Sequence, residues 1–302
     1  MPTPQRRWLK YVDAETVARL CHMGLKPAGL VEGHLVGDHR SPFHGFAIEF
    51  AGHRQYVPGD DPKHLDWRAY SRTGRYLVKQ YEQETNFNAH MVVDVSETML
   101  FEHEHGRKID YAAFIAVALA HVIVNQSDAV GALLFDNDIR QLIRVSTSTD
   151  VVANISEALI GTEPKNASAI GDVLCLLAER IGRRQVVFII SDFFADVEDT
   201  FRGVRRLLDD RHEIVLLHLV DPVEIDFELN GKIRLLELEG AGKLEVVGHE
   251  IRESYCELFR EYLTDISARA ARLGIDYVLC RTDESFGQHL AEYLSRRALK
   301  YG

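Results

Sequence analysis

The sequence predicts an α/β fold, a mostly parallel sheet covered by helices, and three observations carry that reading. From about residue 89 onward, short β-branched apolar runs alternate with longer helical patterns, the rhythm of βα units. Those runs are continuously apolar, as in strands buried on both faces. Two of them, MVVDVSETM (Met91 to Met99) and VVFIISDFF (Val186 to Phe194), end abruptly in carboxylates and hydroxyls. Strand ends of this kind are where open α/β sheets bind ligands.

Before that rhythm begins, the chain has a different character, so residues 1–88 read as a small β-rich N-terminal region and 89–302 as one α/β domain. Asp13 to Met23 carries a short helical pattern, and the Gly- and His-punctuated stretch GLVEGHLVGDHRSPFHGFAIEF that follows predicts short strands and loops. Within 89–302, strands are expected at His90 to Val95, Ala129 to Phe135, Gln185 to Ser191, Glu213 to Val220 and Ile275 to Cys280. Helices are expected at Asp110 to Asn125, Ala169 to Ile181, Thr200 to Asp210 and Arg252 to Leu273. Ile139 to Val145 reads as a strand pairing antiparallel with its predecessor across the Asp136-Asn137-Asp138 turn. Between Val223 and Val247 the rhythm breaks, and the segment reads as inserted β-hairpins with Asn230-Gly231 as the tight turn. The expected domain is thus Rossmann-like, with three layers.

Composition narrows the function classes. A chain of 302 residues with 46% hydrophobic and 9% aromatic residues can bury one large core and a smaller satellite. Its net charge of −11, from 35 basic against 46 acidic residues, argues against a duplex-wide phosphate-binding surface, so no nucleic-acid partner is expected. The four cysteines are far apart with no C-x-x-C pair, which suits a reducing compartment. The N-terminal stretch has no apolar signal core, and the nearly apolar pattern Tyr111 to Val124 is too short to span a bilayer, so a cytoplasmic protein without a membrane span is expected.

The chemistry gathers at the strand ends. Asp94, Ser96 and Thr98 follow an i, i+2, i+4 spacing, so their oxygens can converge in a turn leaving the first strand. Ser191 and Asp192 arrive from another strand end. Neutral hydroxyls plus two carboxylates suit a hard divalent cation, Mg²⁺ or Mn²⁺, that keeps some of its waters. The competing reading of Asp94, Ser96 and Thr98 is a helix N-cap after a strand. A phosphohydrolase of the haloacid-dehalogenase type would need a second acid two residues after Asp94, where Ser96 stands. No phosphate-binding G-x-x-x-x-G-K-[ST] loop, dinucleotide G-x-G-x-x-G or G-x-S-x-G elbow is present. Glu102-His103-Glu104-His105 sits in an expected exposed loop, with alternate residues facing apart, and is a poor zinc site.

DVSET at Asp94 to Thr98 resembles the D-x-S-x-S signature of the von Willebrand factor A fold, whose metal-ion-dependent adhesion site (MIDAS) adds a middle-loop Thr and an Asp from the fourth strand. The resemblance implies metal ligation by Asp94, Ser96, Thr98 and Asp192. The middle loop departs from the usual Gly-Gly-Thr, leaving Ser168 as its candidate and Thr162 as a poorer one. Upstream, RQYVPGDDPKHLDWRAYSRTGRYLVKQYEQE (54–84) looks like the hallmark of the bacterial family catalogued as domain of unknown function 58. Arg54, Tyr56, Gly59, Asp60, Asp61, Asp66, Trp67, Arg72 and Glu82 match it, with Ser41, Gly45 and Phe50 in keeping. In that run Gly59-Asp60-Asp61-Pro62 reads as a structural turn and Trp67 as a packing anchor.

That family resemblance implies an adaptor or cofactor working beside a MoxR-type AAA+ ATPase, or that ATPase's client, in the maturation of other complexes. Three functions are therefore carried forward: a metal-dependent protein-interaction module, a metal-dependent phosphohydrolase, and a scaffold with a vestigial site.

Overall fold

The computed structural model describes residues 25, 48–57, 65–83, 87–229, 232–236 and 243–301. The expected helix at Asp13 to Met23, the residues Ser41 and Gly45, the Gly59-Asp60-Asp61-Pro62 run and the Asn230-Gly231 turn lie outside the described residues. The chain forms two compact units, Glu32–Asn86 and the remainder, Met1–Val31 with Phe87–Gly302. Leu25 therefore belongs with the larger unit. It is buried in that core, and its amide donates to Gln126 Oε1 at 2.8 Å.

In the smaller unit, β1 (Ile48–Gln55) pairs antiparallel with β2 (Leu77–Gln83), with a register shift between Phe50 and Gly52. Between them runs α1 (Trp67–Thr73). Asp66 caps it, accepting from Arg68 N at 2.9 Å and Ala69 N at 3.1 Å, and Gly74 ends it at φ 69°, a left-handed position that suits glycine. The Asp-Trp pair is thus a capped helix start. Trp67 is 59% exposed and meets Tyr70 edge-on, so among the described residues it does not serve as the expected packing anchor. The seven-residue helix buries only Ala69, and its first residue points away from that contact.

The larger unit follows the predicted rhythm. In chain order it contains β3 (Asn88–Asp94), a small hairpin of β4 (Glu102–His103) and β5 (Gly106–Arg107), α2 (Lys108–Asn125), β6 (Ala129–Phe135), β7 (Ile139–Ser146), α3 (Asp150–Gly161) and α4 (Ile170–Arg180). Then come β8 (Val186–Ser191), α5 (Val197–Asp209), β9 (Glu213–Val220), α6 (Pro222–Asp226), a hairpin of β10 (Lys232–Leu236) and β11 (Lys243–Val247), α7 (Gly248–Leu273), β12 (Asp276–Arg281) and α8 (Phe286–Tyr301).

One six-stranded sheet runs β12-β9-β8-β3-β6-β7. All its neighbouring pairs are parallel except β6 with β7. Counting only sheet strands, this is the order 3-2-1-4-5-6 of doubly wound folds, here with the third strand reversed, the von Willebrand factor A-type arrangement.

Each face of the sheet has its own core. Met91 and Val93 of β3 point to the side packed by α2, α3 and α8, whereas Val92 points to the side packed by α4, α5 and α7. Every residue from Ala89 to Val95 except His90 is at most 1% exposed. Burying each of these large apolar side chains contributes about 1.5–3 kcal/mol, so the strand that delivers Asp94 is stiffly held. Helices α4 and α5 touch backbone to backbone: a Cβ on Gly203 would lie 2.6 Å from the Gly171 carbonyl oxygen. That contact anchors the start of α4, directly after Ser168.

Three expectations need correction. Residues 223–226 are helical, because Asp221-Pro222 starts a helix: the Asp221 side chain accepts from Val223 N, and Glu224 reaches back to accept from Asp221 N. Among the described residues the insertion holds a single hairpin, β10 with β11, joined through residues 237–242. Finally, α2 starts at Lys108, before the apolar run, and is by length and composition long enough to cross a membrane, although 72% of it is buried inside the fold. Helices α3 and α8 complete the layer that α2 begins.

Candidate metal centre

The first-strand loop is shaped by Asp94. Fully buried, its Oδ1 accepts from Ser96 N at 2.9 Å, which bends the chain just beyond β3. A single 3₁₀ turn, Glu97–Leu100, follows. Ser96 precedes this turn but makes no side-chain cap bond. Its Oγ instead faces Thr98 Oγ1 at 3.1 Å. The capping alternative therefore does not account for Ser96.

The other loops bring their groups to the same place. Asp94 Oδ2 accepts from Ser168 Oγ at 2.8 Å and from Ser191 Oγ at 2.7 Å. Asp192, at the end of β8, accepts from Thr98 Oγ1 at 3.3 Å and from Phe194 N at 3.2 Å, both on Oδ1. All five residues read from the sequence, Asp94, Ser96, Thr98, Ser168 and Asp192, are thus joined in one hydrogen-bonded cluster. Thr162 is not part of it: its hydroxyl donates to Ala158 O at 2.7 Å, closing α3.

The middle loop is held by a residue that the sequence did not single out. Asp136, fully buried after β6, accepts from Asn166 Nδ2 at 2.9 Å and Arg140 Nη1 at 2.8 Å, and its carbonyl accepts from Ala169 N at 3.0 Å. Glu97 N donates to Asn166 O at 2.9 Å, binding the middle loop to the first-strand loop. Asn166 takes φ 59° to do so, and Phe193 takes φ 53° beside Asp192. Left-handed backbone costs a non-glycine residue about 1–2 kcal/mol. At Phe193 it is offset by hydrogen bonds from Phe193 N to Ser191 Oγ (2.9 Å) and from Tyr262 OH to Phe193 O (2.6 Å).

A second unpredicted group is Lys108, the first residue of α2. It is 1% exposed, and its ammonium lies 3.1 Å from Asp192 Oδ2 and 2.6 Å from Glu224 Oε1, between the rings of Phe101 and Phe194. Burial works against its charge, but the two carboxylates outweigh that and hold it protonated. The signal was present in the sequence: a lysine heading an apolar helix stands at the end where the helix dipole favours acids.

The electrostatics leave negative charge uncompensated. Burial first, and then repulsion from Asp192, push the Asp94 carboxyl up to about 6, against the hydrogen bonds from Ser96 and Ser191. Among the described residues no cation pairs with Asp94. His218 adds none, since burial pushes it down to about 3. Of the three carboxylates, Asp192 and Glu224 thus share one ammonium, Lys108, and Asp94 has none. Among the described residues no three His, Cys, Asp or Glu side chains converge as a metal-holding group, so a cation here would rely on hydroxyl oxygen. Ser96, Thr98 and Ser168 provide it, and the donor set fits a hard divalent ion. Glu102, His103, Glu104 and His105 are exposed around the β4–β5 turn.

The sequence profile of the family described as "Protein of unknown function DUF58" matches residues 52–264, well over half of the chain. The chain belongs to the DUF58 family. A relative, the uncharacterized protein Rv1480 of Mycobacterium tuberculosis, is 24% identical over 293 residues, covering 94% of this chain and 90% of its own. Among solved structures, the DUF58 chain is similar to the conserved hypothetical protein BatB from Bacteroides thetaiotaomicron, with a TM-score of 0.46 and 14% identity over 71% of this chain and 100% of the other. The SpRpn10 VWA domain gives 0.40 and 14%, over 69% and 95%.

Proposed function

We propose that this DUF58 protein is a protein-interaction module whose contact is completed by a divalent cation, Mg²⁺ or Mn²⁺, at the Asp94–Asp192 site. The observation that carries the reading is Asp94: a fully buried carboxylate, close enough to Asp192 to feel its charge, fed only by hydroxyl and amide donors. Burying an ion without a counter-charge is costly, and a cation held by Ser96, Thr98 and Ser168 would relieve both acids. When bound, the ion would supply an electrophilic position that a partner's carboxylate can fill. The residues themselves do the rest. Asp94 fixes the loop, Asp136 presents Ser168, and Lys108 orients Asp192. The partner consistent with the family is a MoxR-type AAA+ ATPase or its client, with the protein acting as adaptor or cofactor in maturing other complexes.

Calorimetric titration with Mg²⁺ and Mn²⁺, on the native chain and on Asp94→Ala, tests the cation. Pull-down of a candidate ATPase with and without EDTA tests the partner. We expect binding of the ion that Asp94→Ala abolishes without loss of the circular dichroism spectrum, and a complex weakened by EDTA. Complex formation indifferent to both EDTA and Asp94→Ala would place the contact elsewhere.

A further inference from the structure

Lys108 does more at this site than fill space, and its geometry says what. Asp192 divides its two oxygens: Oδ1 faces Thr98 and the Phe194 amide, whereas Oδ2 faces the Lys108 ammonium. The ammonium is therefore not in the position open to a metal ion. It stands behind Asp192, one carboxylate away. Phe101 and Phe194 flank it at 5.3 and 5.5 Å from their ring centroids, and Glu224, held by the Asp221 amide, takes its other side. We infer that Lys108 is a charge-setting positioning residue, which holds Asp192 and keeps the site's divalent-cation affinity low so that a bound ion remains attractive to an incoming carboxylate.

The reasoning is electrostatic and rests on the proposed cation site. With Asp94, Asp192, Glu224 and Lys108 all ionised, the cluster carries two negative charges, which a divalent ion would neutralise. Without the lysine it would carry three. The ion would then bind more tightly, but the filled site would stay negative and repel an acidic partner. Glu224 acts in the opposite sense, because it shares the ammonium with Asp192 and adds a charge of the other sign. A lysine serving packing alone predicts something different: removing either Lys108 or Glu224 would disorder Asp192 and weaken metal binding.

Opposite signs therefore decide the matter. Calorimetric titration of the full chain with Mg²⁺ and Mn²⁺ compares the native protein with Lys108→Met, Glu224→Gln, the double variant and Asp94→Ala, with melting curves recorded with and without metal. Expected are at least tenfold tighter binding for Lys108→Met, about tenfold weaker binding for Glu224→Gln, and near-native affinity for the double variant, which loses one charge of each sign. Lys108→Met should also melt at a temperature that rises with Mg²⁺ more steeply than the native protein's. If Lys108→Met does not fold without metal, the double variant and Glu224→Gln carry the test, and a tenfold departure of the double variant from native affinity overturns the inference. Equal or weaker binding by folded Lys108→Met overturns it too, while leaving the cation site standing. No binding of either ion by the native chain removes the cation site and this inference together.

Discussion

The same two strands, β3 and β8, bury polar groups at both of their ends and treat them in opposite ways. At the carboxyl ends, Asp94 and Asp192 keep ionisable acids inside, with hydroxyls, amides and the Lys108 ammonium around them. Near the amino ends, His90 Nε2 meets Gln185 Oε1, and Gln185 N donates to His212 Nδ1 at 3.2 Å. His90 Nδ1 and His212 Nε2 are buried with no hydrogen-bond partner among the described residues. Both histidines are held below their usual range, burial being the main cause, so neither adds charge at this end. Buried polarity alone therefore does not mark a site. What marks the carboxyl end is charge that is retained, converges from three loops and is incompletely balanced.

The largest effect separating the two ends should come from Lys108. Lys108→Ala strands Asp192 and Glu224 together, and breaking a buried ion pair typically costs about 3–5 kcal/mol. Urea denaturation in EDTA should show a loss of that size, and a loss under about 1 kcal/mol would mean that the carboxyl end is no more demanding than the end that holds the histidines. Next is Asp94→Ala. Native protein at a Mg²⁺ concentration one hundred times its Kd should gain about 2.7 kcal/mol of stability, and the variant none. Matched gains in the two proteins, read from melting curves, would detach the ion from this end of the sheet.

Smaller again is Asp136→Asn, which weakens the hold on Asn166 and hence on Ser168. Groups that orient metal ligands are commonly worth 10–100-fold in affinity, and we expect about tenfold weaker Mg²⁺ binding with little change in the melting temperature. The smallest effect concerns the end that holds the histidines. Because the folded-state pKa values of His90 and His212 lie below the unfolded value, folding stability is fully present above about pH 6.5 and falls as the pH drops toward the folded values. His90→Asn cannot take up that proton, so its stability should fall less steeply between pH 7 and 5. A slope identical to the native one would show that His90 does not feel its burial.

Much of this was legible in the sequence, for reasons that particular residues make plain. Strands buried on both faces read as unbroken apolar runs, so Ala129–Phe135 and Glu213–Val220 were readable to the residue. Asp94, Ser96, Thr98 and Asp192 stand at strand ends, where polar residues after apolar ones are conspicuous. The partners that come from other elements were not visible. Lys108 and Glu224 are 116 residues apart, and only the crossover of α2 and the start of α6 bring them to 2.6 Å. Asp136 read as one residue of a turn, because its role depends on a loop 30 residues later. Helix α3 was hidden in a polar context, although Val151, Val152, Ile155, Ala158 and Leu159 mark its buried face at helical spacing. The Asp221-Pro222 start of α6 lost to the hairpin signals that follow it.

The reversed strand β7 ends the sheet, and among the described residues no strand pairs with its outer edge. Leu142 and Val145 are 44% and 36% exposed, which adds apolar area to that edge. Arg140 and Arg144 stand two residues either side of Leu142. A second copy that added antiparallel around Leu142 would set Arg140 of one chain opposite Arg144 of the other, like charges that disfavour the pairing. Resistance to aggregation at high concentration is thus written into the edge of the sheet: replacing Arg144 with isoleucine should make the protein more prone to aggregate, while Arg140, which pairs with Asp136 beside the site, stays in place.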